Sequence, residues 1–131
     1  MKLLLDTHIW VWSVLETDRL SRRVSKELEN PDNELWLSPI SIWEVLILCQ
    51  KKRMVLDQEP DVWVPRAMRA LLLREAPITH EVALETARLQ LPHRDPADYF
   101  LAATARVYDL TLVTADEHLL KAPGLSTLAN R

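Results

Sequence analysis

The stretch Lys2–His8, KLLLDTH, decides how this sequence is interpreted, because three leucines lead directly into Asp6. A short apolar run without alternation is typical of a strand that is covered on both faces. A carboxylate buried at its end destabilises the fold unless a partner or a cation compensates its charge. A second stretch, Leu110–His118 or LTLVTADEH, places Asp116 in the same position after a short apolar run. One explanation must therefore account for both acids.

Strand and helix patterns alternate along the rest of the chain. Strands are predicted at Lys2–Leu5, Glu34–Ser38 and Thr111–Thr114, with a link or strand at Ala76–Thr79. Helices are predicted at Thr7–Leu15, Leu20–Asn30, Pro39–Lys52, Pro60–Arg74, His80–Gln90 and Asp95–Asp109, and in a short segment after Asp116. This order predicts an α/β fold in which a parallel β-sheet is flanked by helices on both faces. Without a repeat or linker, residues 1–131 are expected to form a single domain.

Composition excludes several classes of protein. The only glycine, Gly124, cannot supply the several glycines that a P-loop or a dinucleotide-binding loop requires. One cysteine, Cys49, excludes an internal disulfide framework and fits a reducing, cytoplasmic location. Apolar runs are too short to span a bilayer, and the charged start does not resemble a signal peptide, so no membrane association is expected. The net charge of −3 does not by itself indicate a nucleic-acid-binding protein.

Each acidic candidate also has a purely structural interpretation. Asp6 and Asp116 are suited to N-capping the helices that follow them, and Asp95 is suited to the same role before Pro96. Glu44 lies three residues after Ser41, which is the spacing of a capping box. Asp98 falls in a first helical turn, where the helix dipole favours negative charge. None of these acids alone is therefore evidence of a functional site.

Taken together, the acids indicate a metal site. In open α/β sheets, ligands bind outside the carboxyl ends of the strands, where the predicted elements place Asp6 and Asp116. Glu44 lies on an apolar helix, and Asp98 precedes the small residues Ala102 and Ala105, which allow close helix packing. Four carboxylates within reach of one another would repel strongly without cations, and oxygen donors select hard ions such as Mg²⁺ or Mn²⁺. Such ions serve phosphodiester hydrolysis by metal-activated water.

Three stretches carry a resemblance to a known family. LLLDTHIWVW from residue 3, SPISIWEVLIL from residue 38 and HRDPADYFLAATARVYDLTLVTAD from residue 93 together resemble the PIN-domain family, specifically its VapC-like ribonuclease toxins. The resemblance covers nearly the whole chain, and its specificity lies in the ordered set. It implies a PIN-like fold, Mg²⁺- or Mn²⁺-dependent endoribonuclease activity and inhibition by a small antitoxin. The acids that match the family pattern are Asp6, Glu44, Asp98 and Asp116.

We assign supporting roles to the residues around these acids. Thr7 and Thr114 match the small hydroxyl residues that accompany the family's acids, and Ser41 and Asp95 are further candidates for supporting a ligand or contacting phosphate. Asp95 also remains an alternative to Asp98 as the third acid. RNA contacts are expected from Arg94 and Tyr99, and further cations are available. They are Lys51, Lys52, Arg53, Arg66 and Arg69.

Partners and rival functions follow from the same sequence. Five tryptophans and the apolar helix around Trp43 predict a protein interface, which fits a homodimer, an antitoxin groove or both. A non-catalytic PIN-like module that binds protein or RNA would use the acids only as helix caps. A small-substrate metal-dependent phosphatase would use them as ligands but would not cleave RNA.

Overall fold

The computed structural model describes residues 1–92 and 95–131, in which five short strands form one wholly parallel sheet. The strand order is β3-β2-β1-β4-β5. The strands are β1 (Lys2–Leu5), β2 (Glu34–Leu37), β3 (Arg74–Glu75), β4 (Thr111–Thr114) and β5 (Thr127–Ala129). The helices are α1 (Thr7–Leu15), α2 (Arg22–Glu29), α3 (Pro39–Gln50), α4 (Pro60–Ala70), α5 (His80–Glu85), α6 (Pro96–Val107) and α7 (Glu117–Leu120).

Alternating side chains of the central strand enter two separate apolar cores, because successive strand residues point to opposite faces. Leu3 and Leu5 join the core that contains Trp10 of α1 and Trp63 of α4. Leu4 joins the core on the other side, which is built largely from α5, α6 and α7. Both faces of the sheet are therefore covered by helices, and the predicted α/β architecture is confirmed.

Three segments differ from the prediction by more than two residues. Helix α4 ends at Ala70 rather than Arg74, and Leu72 adopts a positive φ of 51°, which an α-helix does not accommodate. Arg74–Glu75 then pairs with β2 as the short strand β3, so the link predicted at Ala76–Thr79 follows a strand rather than being one. Helix α5 ends at Glu85 and continues only as a 3-10 turn over Thr86–Arg88.

A fifth strand escaped prediction altogether. Residues Thr127–Ala129 pair with β4, with Val113 opposite Leu128. In the sequence this segment contains one strongly apolar residue between two small ones, which is too short a signal for a strand. Pairing with the edge of β4 and burial of Leu128 in the core order the segment as a strand.

The connections reverse direction at β1. The chain passes from β1 to β2 and β3 on one side, and then returns to place β4 and β5 on the other side. The crevice between the carboxyl ends of β1 and β4 is therefore the switch point at which open α/β sheets bind ligands. Among the described residues, no helix has both the length and the apolar character needed to cross a bilayer.

Candidate metal centre at the switch point

Asp6 is held at the end of β1 by several hydrogen bonds. Its backbone N–H donates to the Val113 carbonyl at 3.0 Å, which joins the ends of β1 and β4. Its Oδ1 accepts the Thr7 backbone N–H at 2.7 Å, and its Oδ2 accepts the Thr114 hydroxyl at 2.6 Å. Asp6 thus N-caps α1, as the structural interpretation expected. The cap fixes its carboxylate at the switch point, so a capping role and a functional role are compatible.

Thr114 links the two acids that follow the strands. Its buried hydroxyl donates to Asp6 and accepts the Asp116 backbone N–H at 3.0 Å. Asp116 in turn caps α7, because its Oδ1 accepts the His118 backbone N–H at 2.8 Å. One hydroxyl therefore sets the positions of Asp6 and Asp116 relative to each other.

Glu44 is brought to the same place by packing between α1 and α3. The N-cap Ser38 and Pro39 start α3, which puts Ser41 in its first turn and Glu44 one turn later. The buried Thr7 hydroxyl donates to the Ser41 hydroxyl at 2.9 Å. The capping box considered for Ser41 and Glu44 is wrong, because Ser38 is the N-cap residue and its side chain accepts the Ile40 N–H.

Helix α6 contributes the remaining acids. Asp95 is its N-cap and accepts the Ala97 N–H at 3.0 Å, as its sequence position before Pro96 predicted. Asp98 lies in the first turn of the helix and is almost fully buried. Ala102 and Ala105 are buried in the core below it, so the small residues do allow α6 to lie close to the sheet.

These acids share one pocket of about 370 Å³. Its lining residues are Asp6, His8, Ile9, Trp12, Glu44, Asp95, Asp98, Ala115 and Asp116. Four segments that are distant in the sequence therefore meet at one opening, as the sequence predicted. The structure brings Asp95 and Asp98 to this pocket together, so both alternatives for the third acid remain.

The electrostatics of the pocket disfavour several bare negative charges. Burial raises the pKa of Asp6, and the nearby charge of Asp116 raises it further, although hydrogen bonds from Thr114 and Thr7 oppose the shift. Burial likewise raises the pKa of Glu44, with additional repulsion from Asp6 and Asp95, and the nearby Thr7 side chain opposes the shift. A bound cation would relieve both effects.

Four lining residues were not assigned to the site from the sequence, namely His8, Ile9, Trp12 and Ala115. His8 and Trp12 line the pocket from the first two turns of α1, and their rings lie 5.8 Å apart. Their spacing of four residues places them on one helical face, and the capping residue Asp6 places the start of that helix at the pocket. The helical spacing and the cap at Asp6 together could have identified both residues as lining residues from the sequence.

Of the two candidates for RNA contact, the described residues include only Tyr99. Tyr99 lines a different cavity, with Leu89, Pro96 and Phe100, and is absent from the lining of the carboxylate pocket. Arg94 lies outside the described residues. Within residues 1–92 and 95–131, no three His, Cys, Asp or Glu side chains are close enough to form a preformed metal-ligand set. The pocket therefore presents separate oxygen donors around an open space.

Known proteins share both the sequence pattern and the fold. The PIN domain family model matches residues 3–125. Ribonuclease VapC22 of Mycobacterium tuberculosis (strain ATCC 25618 / H37Rv) is 34% identical over 117 residues, which cover 88% of each chain. The structure of VapBC2 from Rickettsia felis bound to a promoter DNA fragment superposes with a TM-score of 0.72 at 18% identity, covering 98% of both chains. A toxin–antitoxin complex from Klebsiella pneumoniae superposes with a TM-score of 0.65 at 20% identity, also covering 98% of both. The chain therefore belongs to the PIN-domain family, within which it is similar to the VapC ribonucleases.

Proposed function

We propose that this chain is a divalent-metal-dependent endoribonuclease and the toxin of a toxin–antitoxin pair. The observation that carries the proposal is the meeting of carboxylates from four distant segments in one pocket at the switch point of the sheet. The 34% identity to Ribonuclease VapC22 supports the reaction class. A site built only for helix capping would not need Glu44 or Asp98 to line the same opening as Asp6 and Asp116.

The donor set of the pocket fits a hard divalent cation. Five carboxylates line the pocket, and Mg²⁺ or Mn²⁺ prefers such oxygen ligands. Mg²⁺ usually binds through one or two carboxylates and keeps several waters, so it does not require three converging side chains. When bound, such an ion supplies activation of water and stabilisation of the leaving oxygen.

The proposed roles of the side chains follow from their positions. Asp6 and Asp116 act as direct ligands, and Glu44 and Asp98 complete the site directly or through water. Thr114 holds Asp6 and Asp116 in register, and the Thr7–Ser41 hydrogen bond holds Glu44 near Asp6. Asp95 anchors the start of α6. No protein nucleophile is needed in this scheme.

The test is cleavage of an unstructured RNA with Mg²⁺ or Mn²⁺ present. Asp6→Asn keeps the size of the side chain and its capping oxygen but removes a ligand charge, so cleavage should fall by at least about a hundredfold. Asp61→Asn on the exposed surface of α4 is the matched control and should cleave like the wild type. Circular dichroism checks that both variants are folded. Full activity of Asp6→Asn, or equal loss in Asp61→Asn, would contradict the assignment.

The proposed partners are the RNA substrate, a small antitoxin and a second copy of the chain. The Klebsiella relative was solved as a toxin–antitoxin complex, and its similar fold supports an antitoxin partner here. Trp43 and Leu46 remain exposed on α3, which supports a homodimer. We also propose a cytoplasmic location, in keeping with the single cysteine.

A further inference from the structure

A second and larger groove opens directly beside the carboxylate pocket. Its volume is about 740 Å³, and it shares His8 and Trp12 with the pocket. Val11 and Leu15 of α1 line one side, and the segment 53–57, which follows α3, lines the other. The groove therefore continues the pocket along α1 rather than forming a separate cavity.

The charges at the rim of this groove are unevenly compensated. Its two acids are both paired, because Glu16 contacts Arg19 at 3.3 Å and Asp57 contacts Arg66 at 2.7 Å. Arg53 lines the groove, Lys51 and Lys52 directly precede it in the chain, and all three are exposed. In the described part of the chain, none of these three cations has an ion-pair partner. The rim is thus locally positive, although the whole chain carries a net charge of −3.

Trp12 and Arg19, which both line the groove, form a stacked pair. The Arg19 guanidinium lies 4.5 Å from the centroid of the Trp12 ring. About half of the Arg19 side chain remains exposed. Aromatic rings and guanidinium planes are the surfaces on which unpaired bases stack. This pair therefore offers a stacking surface within reach of the carboxylates.

We propose that this groove binds the unpaired RNA strand adjacent to the scissile phosphate, with a base stacked on the Trp12–Arg19 pair and the backbone contacting Lys51–Arg53. The proposal rests on the proposed nuclease function and specifies its substrate as single-stranded RNA. The carboxylate pocket repels phosphates, so the strand needs cations nearby. The uncompensated charges at the groove rim are complementary to a polyanion, whereas the paired acids do not oppose it.

The test separates binding from cleavage by using Asp6→Asn as the parent. Fluorescence anisotropy with a labelled, unstructured oligoribonucleotide measures the Kd of the parent, of Lys51→Gln/Arg53→Gln and of Arg19→Gln, each added to Asp6→Asn. We expect each to bind about tenfold more weakly, and the double variant to show a smaller dependence on salt. Lys2→Gln/Lys26→Gln, which removes the same charge, should bind like the parent. Lys2 begins β1, at the edge of the sheet opposite the carboxylates.

The outcomes distinguish this inference from the nuclease proposal. If the wild type cleaves RNA but the folded groove variants bind like the parent, the nuclease stands and the groove assignment is wrong. If the wild type does not cleave but the groove variants bind more weakly, the RNA groove stands and the nuclease proposal fails. If the groove variants keep their RNA affinity and lose only binding to an antitoxin, the groove is a protein site and the inference is overturned.

Discussion

Asp6 illustrates how a single side chain can serve both fold and function. It caps α1 and closes the β1–β4 junction, yet burial raises the pKa of its carboxyl. A residue chosen only for capping could be Asn or Ser, which carry no charge to bury. The retained charge is what a site for a divalent cation would require.

The raised pKa of Asp6 has a consequence for stability without metal. The folded state holds this proton more tightly than the unfolded chain, so the stabilisation present below the ordinary value of 3.8 is lost as pH rises through the folded-state pKa. Asp6→Asn removes this dependence. We therefore expect Asp6→Asn to have a higher free energy of unfolding than the wild type near neutral pH, in the presence of a chelator.

Urea unfolding at several pH values measures this difference. The difference in free energy of unfolding between Asp6→Asn and the wild type should decrease as pH falls towards the ordinary pKa of an aspartic acid, because both side chains are then neutral. Adding Mn²⁺ should stabilise the wild type more than the variant, since only the wild type keeps the full ligand set. A variant that is less stable than the wild type at every pH would contradict this account of the Asp6 carboxylate.

Helices α1 and α3 are joined by a buried hydroxyl pair that sets the position of Glu44. Thr7→Val leaves the Ser41 hydroxyl buried without its donor, and Ser41→Ala leaves the Thr7 hydroxyl without its acceptor. Each change should lower the free energy of unfolding by about 1–3 kcal/mol. The double variant should lose less than the sum, because both polar groups are then absent.

The Mn²⁺ concentration needed for cleavage distinguishes a role of the Thr7–Ser41 hydrogen bond in positioning Glu44 from a role in stability alone. If the hydrogen bond positions Glu44, each single variant should need a higher Mn²⁺ concentration for half-maximal RNA cleavage, even at temperatures where it is fully folded. Ser41→Thr retains a hydroxyl and should come closer to the wild type. Additive losses of stability with an unchanged Mn²⁺ requirement would show that the pair is only a packing contact.

The sequence predicted the elements whose apolar pattern is strong and missed those that depend on a neighbour. β1, β2, β4, α1 and α6 follow from buried runs and caps that are visible locally. β3 and β5 have two and three residues and exist because an edge of the sheet is available to them. The end of α4 was misplaced because Leu71–Leu73 are good helix formers, yet the chain turns at Leu72 to reach β2.

The same distinction applies to the site. The acids were found because each follows a strand or begins a helix, and the ends of parallel strands meet at one edge. His8 and Trp12 were not assigned to the site because their exposure to the pocket depends on how α1 is rotated about its axis. That rotation is fixed by burial of Trp10 in the core on the opposite side of the helix.

The whole molecule retains an apolar surface on α3 that the fold does not cover. Trp43 is 49% exposed and Leu46 is 37% exposed, while their neighbour Val45 is fully buried. In a homodimer this face would be removed from water. We expect Trp43→Glu/Leu46→Glu to shift the protein from dimer to monomer, because two buried charges would disfavour the interface.

Size-exclusion chromatography with light scattering measures that shift. The control is Val55→Glu/Leu72→Glu, which places the same charges on exposed apolar residues outside α3 and should leave the dimer intact. Because α3 also carries Glu44, circular dichroism must show that the helix remains formed. A wild type that is monomeric, or a dimer unaffected by the α3 changes, would contradict the proposed interface.

We propose that carboxylates distant in the sequence form one divalent cation site at the junction of β1 and β4. The most direct measurement is an anomalous difference map from a crystal of this protein soaked in Mn²⁺. We expect a peak in the pocket lined by Asp6, Glu44, Asp98 and Asp116, and its loss in Asp6→Asn. A wild-type map without a peak there, from crystals in which the pocket is open to solvent, would contradict the account.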